Sequence, residues 1–405
     1  MATILFYPPF PDQRSLCDQL FRAIWHFSPM VDRIDRMAMT YAGSDSGEID
    51  IENYLANAFR FLSDDLDKHI ASVAPRFSGR VSIDFEDDGG ATPSDIDAVL
   101  VWDTKRPEVL PKAQSIAEQA GAQVVVIDPD NVQQETLEVI RFAYSLWETS
   151  ELSALVEESY SLFLTHIDKW QGRPISAFGN GPSLKGVVEK KTQLDGTVNA
   201  ICNSTIGDEA ALEYLNPEML FCGDPVQHCG VSKYAGEFRV ALAKALENPN
   251  RVLFTQLGYV PYFRSVCGPD CHDRIIGIGN DRRPIFNLDL RAEFLTASTA
   301  NIFTMLVLPV ACTVSKDISI YGCGGMSFAD STRPWSHSNE DDYMGRMAVT
   351  HRVHSGFWKH NYEEEYWSYC RDLSELLQSA EAKGHMISVR TPSYVPALGK
   401  RYSSD

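Results

Sequence analysis

Four short stretches in the second half of this 405-residue chain set small, amide and hydroxyl residues directly after apolar runs. They are Gly179-Asn180-Gly181-Pro182-Ser183, Cys202-Asn203-Ser204, Gly223-Asp224-Pro225 and Gly322-Cys323-Gly324-Gly325. Such residue types bind a polar ligand through backbone groups and uncharged side chains. Glycine at 179 and 181 removes the Cβ atoms that would hold the backbone away from a phosphate or ribose. Pro182 and Ser183 suit the first turn and cap of a following helix, whose unpaired N–H groups would face an anion. The stretch is not a Walker loop, and it lacks the third glycine of the dinucleotide fingerprint. Taken alone, Gly-Asn-Gly is an ordinary tight turn; its weight comes from the three further strand ends of similar chemistry. Asn180 and Asn203 offer donors and acceptors without charge, which fits ribose hydroxyls or a pyrimidine edge. Ser298 and Thr299, in the small hydroxylated run 295–301, open a second helix start with phosphate-binding character.

Other constellations carry weaker chemistry. Asp128-Pro129-Asp130 imitates the Asp-x-Asp sequence that holds a divalent ion against a diphosphate, but proline between the acids equally makes a turn, and no metal is expected. Cys267-Gly268-Pro269-Asp270-Cys271-His272 has zinc-ligand types without a second ligand pair. The acidic runs 86–88 and 340–342 read as solvated loops. Trp335, Tyr343, Trp358, Tyr362, Tyr366 and Trp367 suggest a sugar-stacking wall on the acceptor side, although helix-spaced aromatics usually belong to a core.

The elements that would position these residues alternate. Extended segments are expected at 3–7, 97–102 and 123–127, with helices at 12–26 and 107–120 between them. Residues 133–170 have long helical periodicity, and the rhythm then restarts with strands at 175–178, 197–202, 219–222, 252–256 and 318–321. This predicts an α/β protein of two Rossmann-like domains with mainly parallel sheets, ligand lying beyond the carboxyl ends of the strands. The domains are placed at 1–171, of unassigned role, and 172–405, the part that carries the four polar strand ends.

A formal net charge of −19 argues against a nucleic-acid-binding surface and against adsorption to anionic lipid. Nine cysteines form no spaced disulfide framework, and the N-terminus does not read as a secretory signal, so a cytoplasmic location is expected, with peripheral contact at the inner face of the membrane for a lipid-borne acceptor. The apolar run 302–314, broken by Pro309, is too short to span a bilayer and reads as a buried core element.

From 172 to 398 the ordered motifs resemble the bacterial sialyltransferases of glycosyltransferase family 42. The matching features are the strand running into Gly179-Asn180-Gly181-Pro182-Ser183-Leu184, the strand ending at Asn203, the one ending at Asp224-Pro225, the Thr/Ser segment before a helix, and the strand 317–322. The resemblance implies transfer of sialic acid or a related nonulosonic acid, Kdo included, from a CMP-sugar to a glycan or glycolipid hydroxyl, by a single inverting displacement without a metal or other cofactor. It implies a nucleotide cradle of Gly179, Asn180, Gly181, Ser183, Asn203, Asp224, Ser298 and Thr299, with substrate contacts at Gly322 and Tyr343. It further implies a histidine general base, for which His354 and His351 are the best positional matches and His337 a third; imidazole suits the task because it titrates near neutrality. Self-association of the chain is left open. Two departures stand out. The arginine that precedes the Thr/Ser segment in that family has no counterpart, Arg291 being several residues too early. The sequence after Gly322 lacks the family's Asp- and Tyr-bearing continuation, for which Tyr343 or Arg346 would have to substitute. The alternatives are a magnesium-dependent phosphotransferase of the pterin diphosphokinase type, disfavoured because Asp224 is the only carboxylate at a matching strand end, and a non-catalytic nucleotide-binding protein.

Overall fold

The computed structural model describes residues 1–43, 72–85, 95–194, 196–283, 285–325, 340–359 and 361–403. It is an α/β protein with two parallel sheets. The chain forms two compact units: Met1–Thr149 with Pro225–Glu237 and Arg346–His360, and Ser150–Asp224 with Phe238–Gly345 and Asn361–Asp405.

The first unit holds strands β1 (Ala2–Phe10), β2 (Ile34–Tyr41), β3 (Val81–Phe85), β4 (Ala98–Val101) and β5 (Gln123–Val126), in the order β3-β2-β1-β4-β5. Helix Gln13–Phe27 starts where Asp12 accepts a hydrogen bond from the Ser15 N–H at 2.8 Å, satisfying one donor that a helix start leaves open. Helix Val109–Ala120 ends at Gly121, whose φ of 70° makes a left-handed cap. It packs Val109, Ala113 and Ala117 against Leu5, Val99 and Val101.

The second unit holds β6 (Ile175–Phe178), β7 (Val198–Cys202), β8 (Met219–Phe221), β9 (Val252–Gln256), β10 (Ile275–Asp281), β11 (Leu295–Ala297), β12 (Asp317–Tyr321) and β13 (Met386–Val389). Their order is β11-β10-β9-β8-β7-β6-β12-β13. Every residue of β6, β7 and β8 is buried, the mark of strands covered on both faces, which explains why they are apolar apart from Ser176 and Asn199. Strand order reverses between β6 and β12, which makes the crevice beyond their carboxyl ends the topological switch point.

Helix Thr149–Ile167 packs on the second sheet, so the second unit begins at Ser150. Phe163 meets Phe254 of β9 edge-on at 6.1 Å, and Ile167 and Trp170 belong to the same core. The apolar run 302–314 is buried as expected: a π-helical turn, Phe303–Val307, followed by helix Leu308–Val314, packs in one core with helix Tyr362–Ala382. Among the described residues, no helix is long and apolar enough to cross a membrane.

Candidate nucleotide site at the switch point of the second sheet

Pairing of β6 with β12 brings Gly179 and Gly322 side by side, one residue past the paired Phe178 and Tyr321, whose rings stack at 4.9 Å. Gly179 N–H donates to the Tyr321 carbonyl and Gly181 N–H to the Gly322 carbonyl, both at 2.8 Å. A Cβ at Gly181 would stand 2.6 Å from the Gly322 oxygen, and one at Gly322 only 2.3 Å from the Gly179 oxygen. Gly322 also has φ +68°, a conformation that costs a residue with a side chain. The glycines therefore serve first to interlock two strand-end turns. The Gly322 N–H in turn donates to Thr391 Oγ1 at 2.9 Å, and Ser393 Oγ donates to the Cys323 carbonyl at 2.6 Å, so the segment after β13 fastens the turn from the other side.

The helix after this turn corrects an expectation. Helix Ser183–Glu189 spans seven residues, and its capping position is Pro182, which supplies no side-chain bond. Leu184 and Lys185 N–H groups turn back to the Gly181 and Pro182 carbonyls at 3.0 and 3.2 Å. Two donors expected to face an anion are thus already occupied.

The side chains carry the stronger signal. Asn180 Nδ2 donates to Ser204 Oγ at 3.1 Å, joining the loops after β6 and β7. Beside this contact in the chain, Ser183 Oγ, Asn203 Oδ1 and Thr205 Oγ1 are buried with no hydrogen-bond partner among the described residues. A buried polar atom left unpaired costs about 1–3 kcal/mol, and native chains rarely accept several on two adjoining loops without a ligand or water to satisfy them. Asn203 adds backbone strain, with φ +51° just past β7. The sequence reading did not single out Thr205; its hydroxyl, two residues past Asn203, was the available signal.

Strand ends farther along the sheet satisfy themselves. Asn280 Nδ2 donates to Gln256 Oε1 at 2.8 Å, and Gln256 Nε2 to the Gly223 carbonyl at 2.9 Å, a row of amides across β10, β9 and β8. Asp224 is half-buried just beyond. Ser298 is exposed, and its N–H donates to the Asp281 carbonyl at 2.7 Å. The Thr299 hydroxyl meets Thr304 Oγ1 at 2.8 Å and the Asn301 carbonyl at 3.2 Å. Thr299 thus belongs to the start of the π-turn and Ser298 to the end of β10, rather than presenting an open helix end. Arg291 pairs with Asp168 and donates to Gln171 Oε1 at 2.9 Å.

The two histidines belong to the first unit. His351 is half-buried, its ring 3.6 Å from that of Trp358, centroid to centroid, and 5.8 Å from that of Phe357. His354 is fully buried and shares a hydrogen bond with Glu135, which Arg22 also approaches at 3.3 Å. The Asp128-Pro129-Asp130 sequence is a turn: Asp128 accepts from Thr104 N–H and Oγ1, from Asn131 Nδ2 and from the Asp130 N–H, all within 2.8 Å, while Asp130 pairs with Lys105 and Ser355. The cysteines at 267 and 271 are buried, free thiols; burial pushes the Cys267 thiol up to about 12, away from the thiolate a metal needs. Among the described residues no cluster of three or more His, Cys, Asp or Glu is arranged to hold a metal ion. Trp335, His337, Met326, Ser327, Phe328 and the acidic run 86–88 lie outside the described residues, as do the side chains of Tyr343, Arg346 and the run 340–342.

Fold and site together define the class: an α/β protein with polar loops at the carboxyl ends of β6 and β7, beside the switch point of a parallel sheet. Comparison with protein-family models, with curated proteins and with solved structures finds no match to this chain.

Proposed function

We propose that the second unit binds the nucleotide of a CMP-activated sugar at the carboxyl ends of β6 and β7, and that the protein transfers the sugar, a sialic acid or related nonulosonic acid, to a glycan hydroxyl. One observation supports the binding site: the buried oxygens of Ser183, Asn203 and Thr205, without a hydrogen-bond partner among the described residues, on loops joined by the Asn180–Ser204 bond. An uncharged, amide- and hydroxyl-rich cradle suits a ribose or cytosine edge better than a triphosphate, which calls for cations and metal-binding carboxylates. The reaction itself comes from the motif resemblance. A histidine, His351 or His354, takes the proton of the acceptor hydroxyl, whose oxygen attacks the anomeric carbon while CMP leaves with the bonding pair, inverting the centre.

The test is a thermal-shift series with CMP, UDP, GDP, ATP and a CMP-sugar, each with and without magnesium, because a ligand that binds only the native state raises its apparent stability, by about 2.7 kcal/mol at one hundred times its Kd. Selective stabilisation by CMP without magnesium is expected. Stabilisation by ATP only with magnesium would replace this reading by a phosphotransferase. The burial of His354 favours a second reading, a protein that binds the nucleotide without turning it over; CMP-sugar bound tightly and recovered intact, with every acceptor tried, would select it.

A further inference from the structure

His354 has two ring nitrogens in opposite circumstances. Nδ1 shares its hydrogen bond with Glu135 Oε1, whereas Nε2 is buried with no partner among the described residues. The carboxylate is itself held: Arg22 reaches Glu135 Oε1 through NH1 at 3.3 Å, while its NH2 donates to the Val353 carbonyl at 2.7 Å and its Nε to Asp18 Oδ2 at 2.9 Å. All four side chains lie within the first unit, and those of Arg22, Glu135 and His354 are at most 9% exposed. Against Nε2 stands Gly230, where a Cβ would lie 3.0 Å from that nitrogen.

We propose that Glu135 is the positioning residue of a Glu135–His354 proton-transfer pair, with Arg22 fixing the carboxylate. A carboxylate accepts only, so Nδ1 must carry the proton, and the neutral ring then presents Nε2 as its one basic atom. This is the tautomer a general base needs, and it is the less favoured one for a free imidazole, so Glu135 selects it. The inference rests on the reading of a histidine as the base and settles on His354, whose ring has a carboxylate on one nitrogen and, among the described residues, no partner on the other. Its burial means that Nε2 meets an acceptor only after the chain around Gly230 moves.

The experiment pairs nitrogen-15 histidine spectra with transfer kinetics from a CMP-sugar to a glycan acceptor. Wild-type His354, assigned by its loss in His354→Gln, is expected to show the Nδ1-protonated tautomer. Glu135→Gln can accept from Nδ1 or donate to it, so it should weaken the preference for that tautomer and lose about tenfold in kcat. Glu135→Ala should shift the ring toward Nε2 protonation and lose about a hundredfold, with the KM for the donor unchanged in both. An Nε2-protonated wild-type ring overturns the proposal. So does full kcat in a folded Glu135→Gln and His354→Gln, even with the expected tautomer. If Glu135→Ala does not fold, the wild-type and Glu135→Gln spectra and rates still decide. If the wild type transfers no sugar, the reading of the function falls and the proton-transfer role with it, while the tautomer still reports whether Glu135 orients the ring.

Discussion

At the scale of single residues, the second unit combines atoms that stabilise the fold with atoms that do not. Ser183 Oγ is buried with no partner among the described residues, so Ser183→Ala removes an unpaired polar group and is expected to leave the melting temperature unchanged or slightly raised. If the oxygen contacts nucleotide, the same variant loses about tenfold in CMP affinity, roughly 1.4 kcal/mol. Asn203 needs a different substitution, because alanine would meet the left-handed backbone at φ +51°; Asn203→Gly keeps that conformation and deletes only the amide. Calorimetric titration of both variants with CMP checks the expectation. Unchanged affinity in both, with wild-type stability, would move the ligand away from the β6–β7 loops.

At the scale of elements, the interlocked turns after β6 and β12 are the joint on which the crevice depends. Gly322→Ala is expected to cost about 2 kcal/mol or more, from its positive φ and from a Cβ 2.3 Å from the Gly179 carbonyl oxygen. Gly186, in the following helix with nothing within 4 Å of its added Cβ, is the control: Gly186→Ala should stabilise slightly. Urea unfolding of the two variants measures both effects, and equal midpoints would contradict the joint. Much of this was legible in the sequence. The strands β6 and β9 are found where apolar-rich runs put them, since a strand covered on both faces is mostly apolar, Ser176 and Thr255 being the buried exceptions. Strands β2, β3, β10, β11 and β13 went unread: Ile34–Tyr41 mixes Asp35 and Arg36 with its apolar residues, Val81–Phe85 contains Ser82 and Asp84, Ile275–Asp281 contains Gly277 and Gly279, Leu295–Ala297 is three residues long, and Met386–Val389 stands at a sheet edge. The glycine turn was found, but its main partner was not, since nothing local to Gly179 shows that the opposing surface is the backbone of Gly322. Glu135 was likewise unreadable, 219 positions away from His354 in the chain.

At the scale of the whole molecule, the excess of acid sets how stability follows pH. Hydrogen bonds from Arg401 hold Glu381 below the ordinary carboxylate range, those from Arg283 do the same for Asp281 and Glu293, and that from Lys244 does so for Glu209. For Asp130, burial works the other way and is outweighed by the bonds from Lys105 and Ser355. In each case the folded pKa lies below the unfolded one, so the stabilisation is complete above about pH 4–5 and is lost as pH falls through the lowered folded values. A second effect opposes this: with a net charge of −19, protonation of other carboxylates relieves self-repulsion as pH falls from 7. Relief of repulsion acts first and is weakened by salt, whereas loss of the paired carboxylates acts later, below about pH 4. The expected profile of melting temperature at low salt is therefore flat or gently rising from pH 7 to 5 and falling steeply below 4. Arg401→Ala should lower the plateau slightly and soften the acid fall, because Glu381 and its bidentate partner, at 2.6 and 2.8 Å, tie helix Tyr362–Ala382 to the C-terminal segment. These pairs lie largely at the surface, where solvent and salt screen them, so each contributes little and only their sum gives a visible acid limb. A melting temperature that keeps rising to pH 3 would show that charge repulsion, not carboxylate pairing, governs the acid stability of this chain.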